Sequence, residues 1–190
     1  MTIATRNSYM IALGSNATDV IHSNCAVLKD ALSRFNESSL KVDLVSDFWR
    51  TPAFPAGAGP DFANACAQVS GPASPIDVLK CLHRIESEMG RVRERRWGQR
   101  VIDLDLLAAG DLIMPDAPTL SHWIDLPLAE QQQQAPDRLI LPHPRLQDRA
   151  FVLVPLAQVA PDWRHPVLGR TVTQMRDALD PVALADMHVI

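Results

Sequence analysis

The chain has 190 residues, 47% of them hydrophobic, and a formal net charge of −4. That length and apolar share suit one ordinary domain burying roughly 70% of its unfolded surface, which excludes wholesale disorder. No stretch approaches ~18 uninterrupted apolar residues, the N-terminus has no basic region ahead of an apolar run, and the separated Cys25, Cys66 and Cys81 form neither a zinc pattern nor a disulfide framework, so a soluble cytoplasmic protein without a membrane span is expected.

Ser8 to Leu13 reads as a strand, and Gly14, Ser15 and Asn16 as the turn that ends it. Over 20–36, Ile21, Cys25, Leu28, Leu32 and Phe35 recur at helical spacing. Leu40 to Phe48 is β-rich, and the proline- and glycine-punctuated stretch from Thr51 to Pro60 predicts a loop. From Phe62 to Val69, small apolar residues alternate along a strand. A helix follows, with Ser74 as N-cap, Pro75 in its first position and Asp77 at its positive start. Its predicted buried stripe is Leu79, Leu82, Ile85 and Met89, and Gly90 terminates it.

An Arg-rich loop spans 91–100, and Val101 to Ala108 predicts a strand. Residues 114–137, with four prolines and the Gln131–Gln134 run, read as an inserted loop, with room for a short helix around Trp123. Beyond Leu139–Leu141, residues 148–160 predict a buried helix that Pro155 must either kink or enter in its first turn. Thr171 and Gln174 form a capping box for a last helix over 172–179. Strands and helices mix without strict alternation, which predicts an α+β fold.

The charge pattern points toward chemistry. Of the 18 basic residues, 15 are Arg, and six of these (84, 91, 93, 95, 96 and 100) fall within 17 residues. Arginine clusters suit bidentate binding of phosphate or carboxylate. The next strand carries Asp103 and Asp105. Strand alternation points both carboxylates the same way, about 6.6 Å apart by strand rise. Two acids on one face of an apolar strand are costly unless paired or metal-bound, and Mg²⁺ takes one or two carboxylates plus waters and phosphates. Alone, the pair also describes a solvated edge strand, and the Arg run a solvated charged face. Together they form what a nucleoside triphosphate needs. Trp97 is either a stacking ring or a loop anchor. Phe62, Asn64 and Phe151 are candidates for a pocket holding a flat heterocycle, though each taken singly also reads as core. His143 is either a phosphate or hydroxyl donor or structural, and Arg149 either a second phosphate clamp or a surface residue.

Five segments, in order, carry a resemblance: ALGSN (Ala12–Asn16), WRTPAF (Trp49–Phe54), FANA (Phe62–Ala65), GRVRERRWGQRVIDLDLL (Gly90–Leu107) and LPHPRLQDRAFVLVPL (Leu141–Leu156). The chain resembles the 6-hydroxymethyl-7,8-dihydropterin pyrophosphokinase family of folate biosynthesis, over about 8–114 and 139–175. The resemblance implies a monomeric ferredoxin-like α+β sandwich, here one domain over 1–190 with an insertion at about 114–137. It implies transfer of the β,γ-pyrophosphoryl group of ATP to the pterin hydroxymethyl oxygen, leaving AMP. By the same resemblance Asp103 and Asp105 hold two Mg²⁺ ions. Arg91, Arg93, Arg96, Trp97 and Arg100 handle ATP from the loop side, with Arg91 and Arg100 counted with the aspartates as catalytic. His143 and Arg149 take the phosphates from the far side, and Glu86 and His83 face the nucleotide. Asn64 reads the pterin edge, Phe62 and Phe151 sandwich it, and Thr51, Pro52 and Phe54 complete the pocket.

The sequence departs from the family pattern in places. Phe62 stands where many members have Tyr, Gln99 replaces the proline of W-G-P-R, and 91–96 contains no lysine. Two other readings compete: an Arg-rich nucleic-acid-binding module, disfavoured by the adjacent aspartates, and a DxD-metal nucleotidyl or glycosyl transferase on another fold, which leaves LPHP and FANA unexplained.

Overall fold

The structure, a computed structural model, describes residues 7–53, 59–91, 100–127, 130 and 133–190. In chain order the elements are β1 (Asn7–Ser15), α1 (Ile21–Phe35), β2 (Lys41–Val45), β3 (Trp49–Thr51), β4 (Phe62–Gly71), α2 (Pro75–Glu88), β5 (Asp103–Ala109), α3 (Ala117–Asp125), α4 (Ala150–Val159), α5 (Val172–Asp177), α6 (Pro181–Ala185) and β6 (His188–Val189).

The strands form one sheet in the order β5-β1-β4-β3-β6, with β2 beside β3 along the same edge of β4. Every named pairing is antiparallel. Taking β2 and β3 as one interrupted strand, β1 to β5 with α1 and α2 make a βαββαβ unit in the ferredoxin-like order. The predicted α+β class and its ferredoxin-like form both hold.

Alternation along β4 sorts the two faces. Ala63, Ala65, Ala67 and Val69 point to one side, with Tyr9, Ile11 and Leu13 of β1 and Leu104 and Leu106 of β5. Leu28, Ala31 and Phe35 of α1 and Val78, Leu82 and Ile85 of α2 close that core. On the opposite face Met10, Cys66, Leu107 and Ala108 meet Val152, Leu153, Leu156 and Val159 of α4, with Val172 and Met175 of α5 behind them. Helix α4 is apolar except for Gln158, whose exposed amide bonds to Asp47, because most of its surface lies between the sheet and α5.

Several boundaries move from their sequence positions. The predicted turn at Gly14–Asn16 begins only at Asn16, because β4 offers Gly14 and Ser15 the partners Asn64 and Ala63. The β-rich run 40–48 breaks at Ser46. There the hydroxyl, rather than a carbonyl, accepts the Cys66 N–H (2.9 Å). Strand β5 starts two residues late, since Arg100 N–H and Val101 C=O bond to the Asn16 and Ser15 side chains instead of to a strand. Pro155 sits sixth in α4, well inside it and past the first turn. It removes only the N–H that would have reached the Phe151 carbonyl.

Helix α2 behaves as its caps predict. Ser74 Oγ accepts the Asp77 N–H, and Gly90 follows the helix at φ +83°. Its core stripe gains Val78, which is fully buried with Leu82 and Ile85, while Leu79 and Met89 pack half-buried against the same core and Leu79 also borders a cavity. In segment 114–137 a real helix forms. Asp116 caps α3 through the Thr119 N–H (2.8 Å), and Leu120 is fully buried. Met114 and Leu141 bridge antiparallel at the roots of the segment. The short α6 and β6 have no period to read from sequence, and β6 pairs with β3 through Trp49–Val189 and Arg50–His188.

Candidate active site

The register aligns one row across four strands. Trp49 of β3 faces Asn64 of β4, which faces Gly14 of β1, which faces Asp103 of β5. Directly paired residues share a face, so these side chains stand on the α4 side of the sheet. The neighbouring row is Cys66, Ala12 and Asp105. Helix α4 covers Cys66, whose thiol reaches the Val152 carbonyl (3.5 Å).

Gly14 forms the floor between Asn64 and Asp103. A Cβ there would lie 2.9 Å from Asn64 Oδ1 and 4.0 Å from the Asp103 Cβ, so a side chain would displace the amide. Asn64 is buried, and its Nδ2 donates to Thr51 Oγ1 at 2.7 Å. The sequence candidates for heterocycle binding are thus brought to one end of the sheet. Phe62 is half-buried beside Gly14, Phe151 is 40% exposed in the first turn of α4, and Pro52 is exposed next to Thr51. Phe54 lies outside the described residues.

Asp103 is the centre of the charged half. Arg91 Nη1 approaches its Oδ1 at 2.7 Å, and Arg100 Nη1 pairs with its Oδ2. Arg91 also pairs with Glu86, which is only 2% exposed and accepts the Leu104 N–H at 2.8 Å. Burial pushes the Glu86 carboxyl up from the usual range, while the Leu104 hydrogen bond and Arg91 pull it down. Glu86 therefore anchors Arg91 and the start of β5. His83 is exposed on the same helix. Arg93, Arg96 and Trp97 lie outside the described residues.

Asp105 pairs with Arg149 (3.4 Å), whose guanidinium also lies 5.6 Å from the Phe151 ring centroid. His143 is held by its N–H to the Leu107 carbonyl (2.8 Å). Its Nδ1 accepts the Arg145 N–H at 3.1 Å, so the neutral ring carries its proton on Nε2 and presents a donor there. Burial, reinforced by Arg149 and Arg145, pushes the imidazole pKa down to about 3. A neutral Nε2–H donor beside two cations suits a phosphate oxygen.

The aspartate pair fits a hard divalent cation. Both donors are carboxylate oxygens on one strand face. Among the described residues no third His, Cys, Asp or Glu joins them in a metal cluster. That is the protein share expected for Mg²⁺ completed by substrate phosphates and waters.

Sequence reasoning missed Asn16 and Arg145. Asn16 is buried; it exchanges hydrogen bonds with Arg100 and its Nδ2 donates to the Pro60 carbonyl (3.3 Å). ALGSN signalled it only as a turn. Arg145 sits beside Arg149, and its buried Nε has no partner among the described residues.

Comparison with known proteins decides the family. Residues 10–161 match the model of the 7,8-dihydro-6-hydroxymethylpterin-pyrophosphokinase family. The chain belongs to that family. Proteins named 2-amino-4-hydroxy-6-hydroxymethyldihydropteridine pyrophosphokinase resemble it closely. The one from Synechocystis sp. is 34% identical, covering 92% of this chain and 77% of the relative. The one from Pseudomonas aeruginosa is 38% identical, covering 82% of each. The fold is shared with HPPK-DHPS of Plasmodium falciparum, solved with pterin and p-hydroxybenzoate, at TM-score 0.64 and 15% identity. There the match covers 93% of this chain but 44% of the solved one, so the chain spans under half of that protein. This pyrophosphokinase kinship gives no support to the nucleic-acid-binding or other-fold transferase readings. Among the described residues no helix is long and apolar enough to cross a membrane.

Proposed function

We infer that the chain transfers the pyrophosphoryl group of ATP to 6-hydroxymethyl-7,8-dihydropterin, giving AMP and the pterin pyrophosphate, as a step of folate biosynthesis. The observation that carries this is the single row in which Asn64, held by Thr51, and Asp103, clasped by Arg91 and Arg100, flank the side-chain-free floor of Gly14. A buried amide and a carboxylate clasped by two arginines thus lie side by side in one row, which supports an in-line transfer between a heterocycle and a triphosphate.

The roles follow from the chemistry. Asn64 reads the pterin edge, Phe62 and Phe151 take its two faces, and Thr51, Pro52 and Phe54 complete the pocket. Asp103 and Asp105 would hold two Mg²⁺ ions, which screen phosphate charge when bound. Arg91 and Arg100 share Asp103 and present guanidinium donors that a triphosphate can bridge. Arg93, Arg96 and Trp97 are assigned to ATP on the family resemblance alone. Arg149 and the His143 Nε2–H meet the phosphates from the other side, with Glu86 fixing Arg91 and His83 on the nucleotide side of α2. The protein supplies position and fixed charge rather than covalent chemistry. One domain over 1–190, with an insertion at 114–137, acts as a cytoplasmic monomer.

The test is AMP release from ATP and Mg²⁺ with and without 6-hydroxymethyl-7,8-dihydropterin. AMP formed only with the pterin is the expected result. Absence of pterin-dependent AMP from folded protein that still binds ATP overturns the assignment.

A further inference from the structure

A cavity of about 530 Å³ opens along the outer edge of β5. Its lining includes both Asp105 and Leu106. Neighbouring strand residues point to opposite faces, so the cavity wraps around the strand edge. On the Asp105 side stand His143, Arg145 and Arg149, a cluster rich in cations and N–H donors. On the Leu106 side stands Leu79 of α2. The remaining wall comes from the inserted segment: Trp123 of α3 and the return arm from Gln134 to Arg138. The volume lies within the range that holds a nucleoside-sized ligand.

The half-buried Leu79 now has a reason. It packs against the core and also lines this space, with Leu139 and Ile140 in the same lining. Apolar walls with an aromatic ring, joined to a cluster of arginines, match the two chemistries of a nucleotide. Asn64, Phe62 and Thr51 do not line the cavity, so it is separate from the heterocycle pocket on the sheet face. Asp105 belongs to both the cavity and the carboxylate pair.

We propose that the inserted segment forms the nucleobase wall of the ATP site, with Trp123 as the ring against which the base lies. This rests on the pyrophosphokinase reading and assigns to the insertion a share of substrate recognition. Stacking on an aromatic ring is sequence-tolerant, so Trp123 contributes affinity for any purine more than choice between purines.

The test compares Mg²⁺ complexes of α,β-methylene-ATP and of inorganic tripolyphosphate, which lacks base and ribose. In Trp123→Ala the analogue binds about tenfold more weakly, while tripolyphosphate affinity stays within twofold of wild type. In the turnover assay the variant raises the ATP KM and leaves kcat and the pterin KM within twofold. Unchanged analogue affinity, or equal weakening of both ligands, overturns the proposal. Photolabelling of the wild-type protein with 8-azido-ATP needs no variant to fold: an adduct on Trp123 or on 134–137 supports it, and adducts confined elsewhere overturn it. Loss of pterin-dependent AMP release in wild type would instead sink the underlying assignment and is read separately.

Discussion

Asn16 fastens two loops with one side chain. Its Oδ1 accepts the Arg100 N–H at 2.8 Å and its Nδ2 donates to the Pro60 carbonyl at 3.3 Å, while its own N–H donates to the Arg100 carbonyl at 3.1 Å. The ends of the Arg-rich segment and of the 51–60 segment thus meet at the last turn of β1. Asn16→Ala removes two of these bonds and leaves a donor and an acceptor unpaired, a cost of about 2 kcal/mol. For a chain of this size that corresponds to a Tm lowered by roughly 4–8 °C. The functional signature is a rise in KM for both substrates, because both loop ends lose their anchor. Calorimetry and steady-state kinetics on Asn16→Ala check this; a rise confined to one substrate would show that the two loops are not coupled here. The residue-level signals readable in sequence were those whose chemistry is local: the DxD pair, the Ser74 cap, the Thr171–Gln174 box. Asn16 and Gly14 were legible only as turn formers, since their partners lie 84 and 50 positions away in the chain.

At the scale of elements, α2 serves two masters. One face packs Val78, Leu82 and Ile85 on the sheet, while its C-terminal half delivers Glu86 to Arg91 and to the start of β5. Its N-cap is remote from that end. Ser74→Ala removes the hydrogen bond to the Asp77 N–H and costs about 1 kcal/mol, roughly 2–4 °C in Tm. Turnover should stay within twofold of wild type, since Glu86 lies three helical turns away. Thermal melts with parallel kinetics test this, and a large fall in kcat would mean that the helix transmits its end to the site. Helical periodicity predicted α1, α2 and the start of the capped α5 because each has one core-facing stripe, but α5 ends at Asp177 rather than 179 and is followed by α6. Periodicity placed Leu79 on the core, where it packs half-buried, but missed the fully buried Val78 and the cavity that Leu79 also lines, because spacing cannot show which neighbour is wholly covered. The split of β2 from β3 was hidden for a similar reason: Ser46 is an ordinary strand residue until the Cys66 N–H is placed opposite it.

The whole molecule carries a pH dependence that no single element reveals. Burial pushes His143 down to about 3, and burial alone pushes His165 down to about 4. Between those values and the ordinary histidine value of about 6.5, the unfolded chain binds more protons than the folded one, so stability falls as pH drops through this window. Glu86 acts with the opposite sign: its raised carboxyl favours the folded state below its pKa and loses that contribution as pH rises through it. The two histidines both act in the window below about 6.5 and carry the fall expected there. Thermal melts from pH 7.5 to 4 should show a falling Tm below about pH 6.5. The non-titrating His165→Asn should show a shallower fall over the same range. A Tm that is flat or rising on acidification contradicts the assignment of both rings as neutral in the fold.

Sequence alone determined the α+β class, the strands that carry Asn64, Asp103 and Asp105, and the family whose motifs they compose. These follow from period, capping and short-range spacing, which are written in neighbouring residues. Only the tertiary structure decided that Asn64, Gly14 and Asp103 stand in one row, and that Asn16 joins two loops. It alone showed that Arg91 and Arg100 converge on one carboxylate, and that the inserted segment walls a cavity beside Asp105. Each depends on strand register and on which face a helix covers, and those are fixed by contacts between residues far apart in the chain.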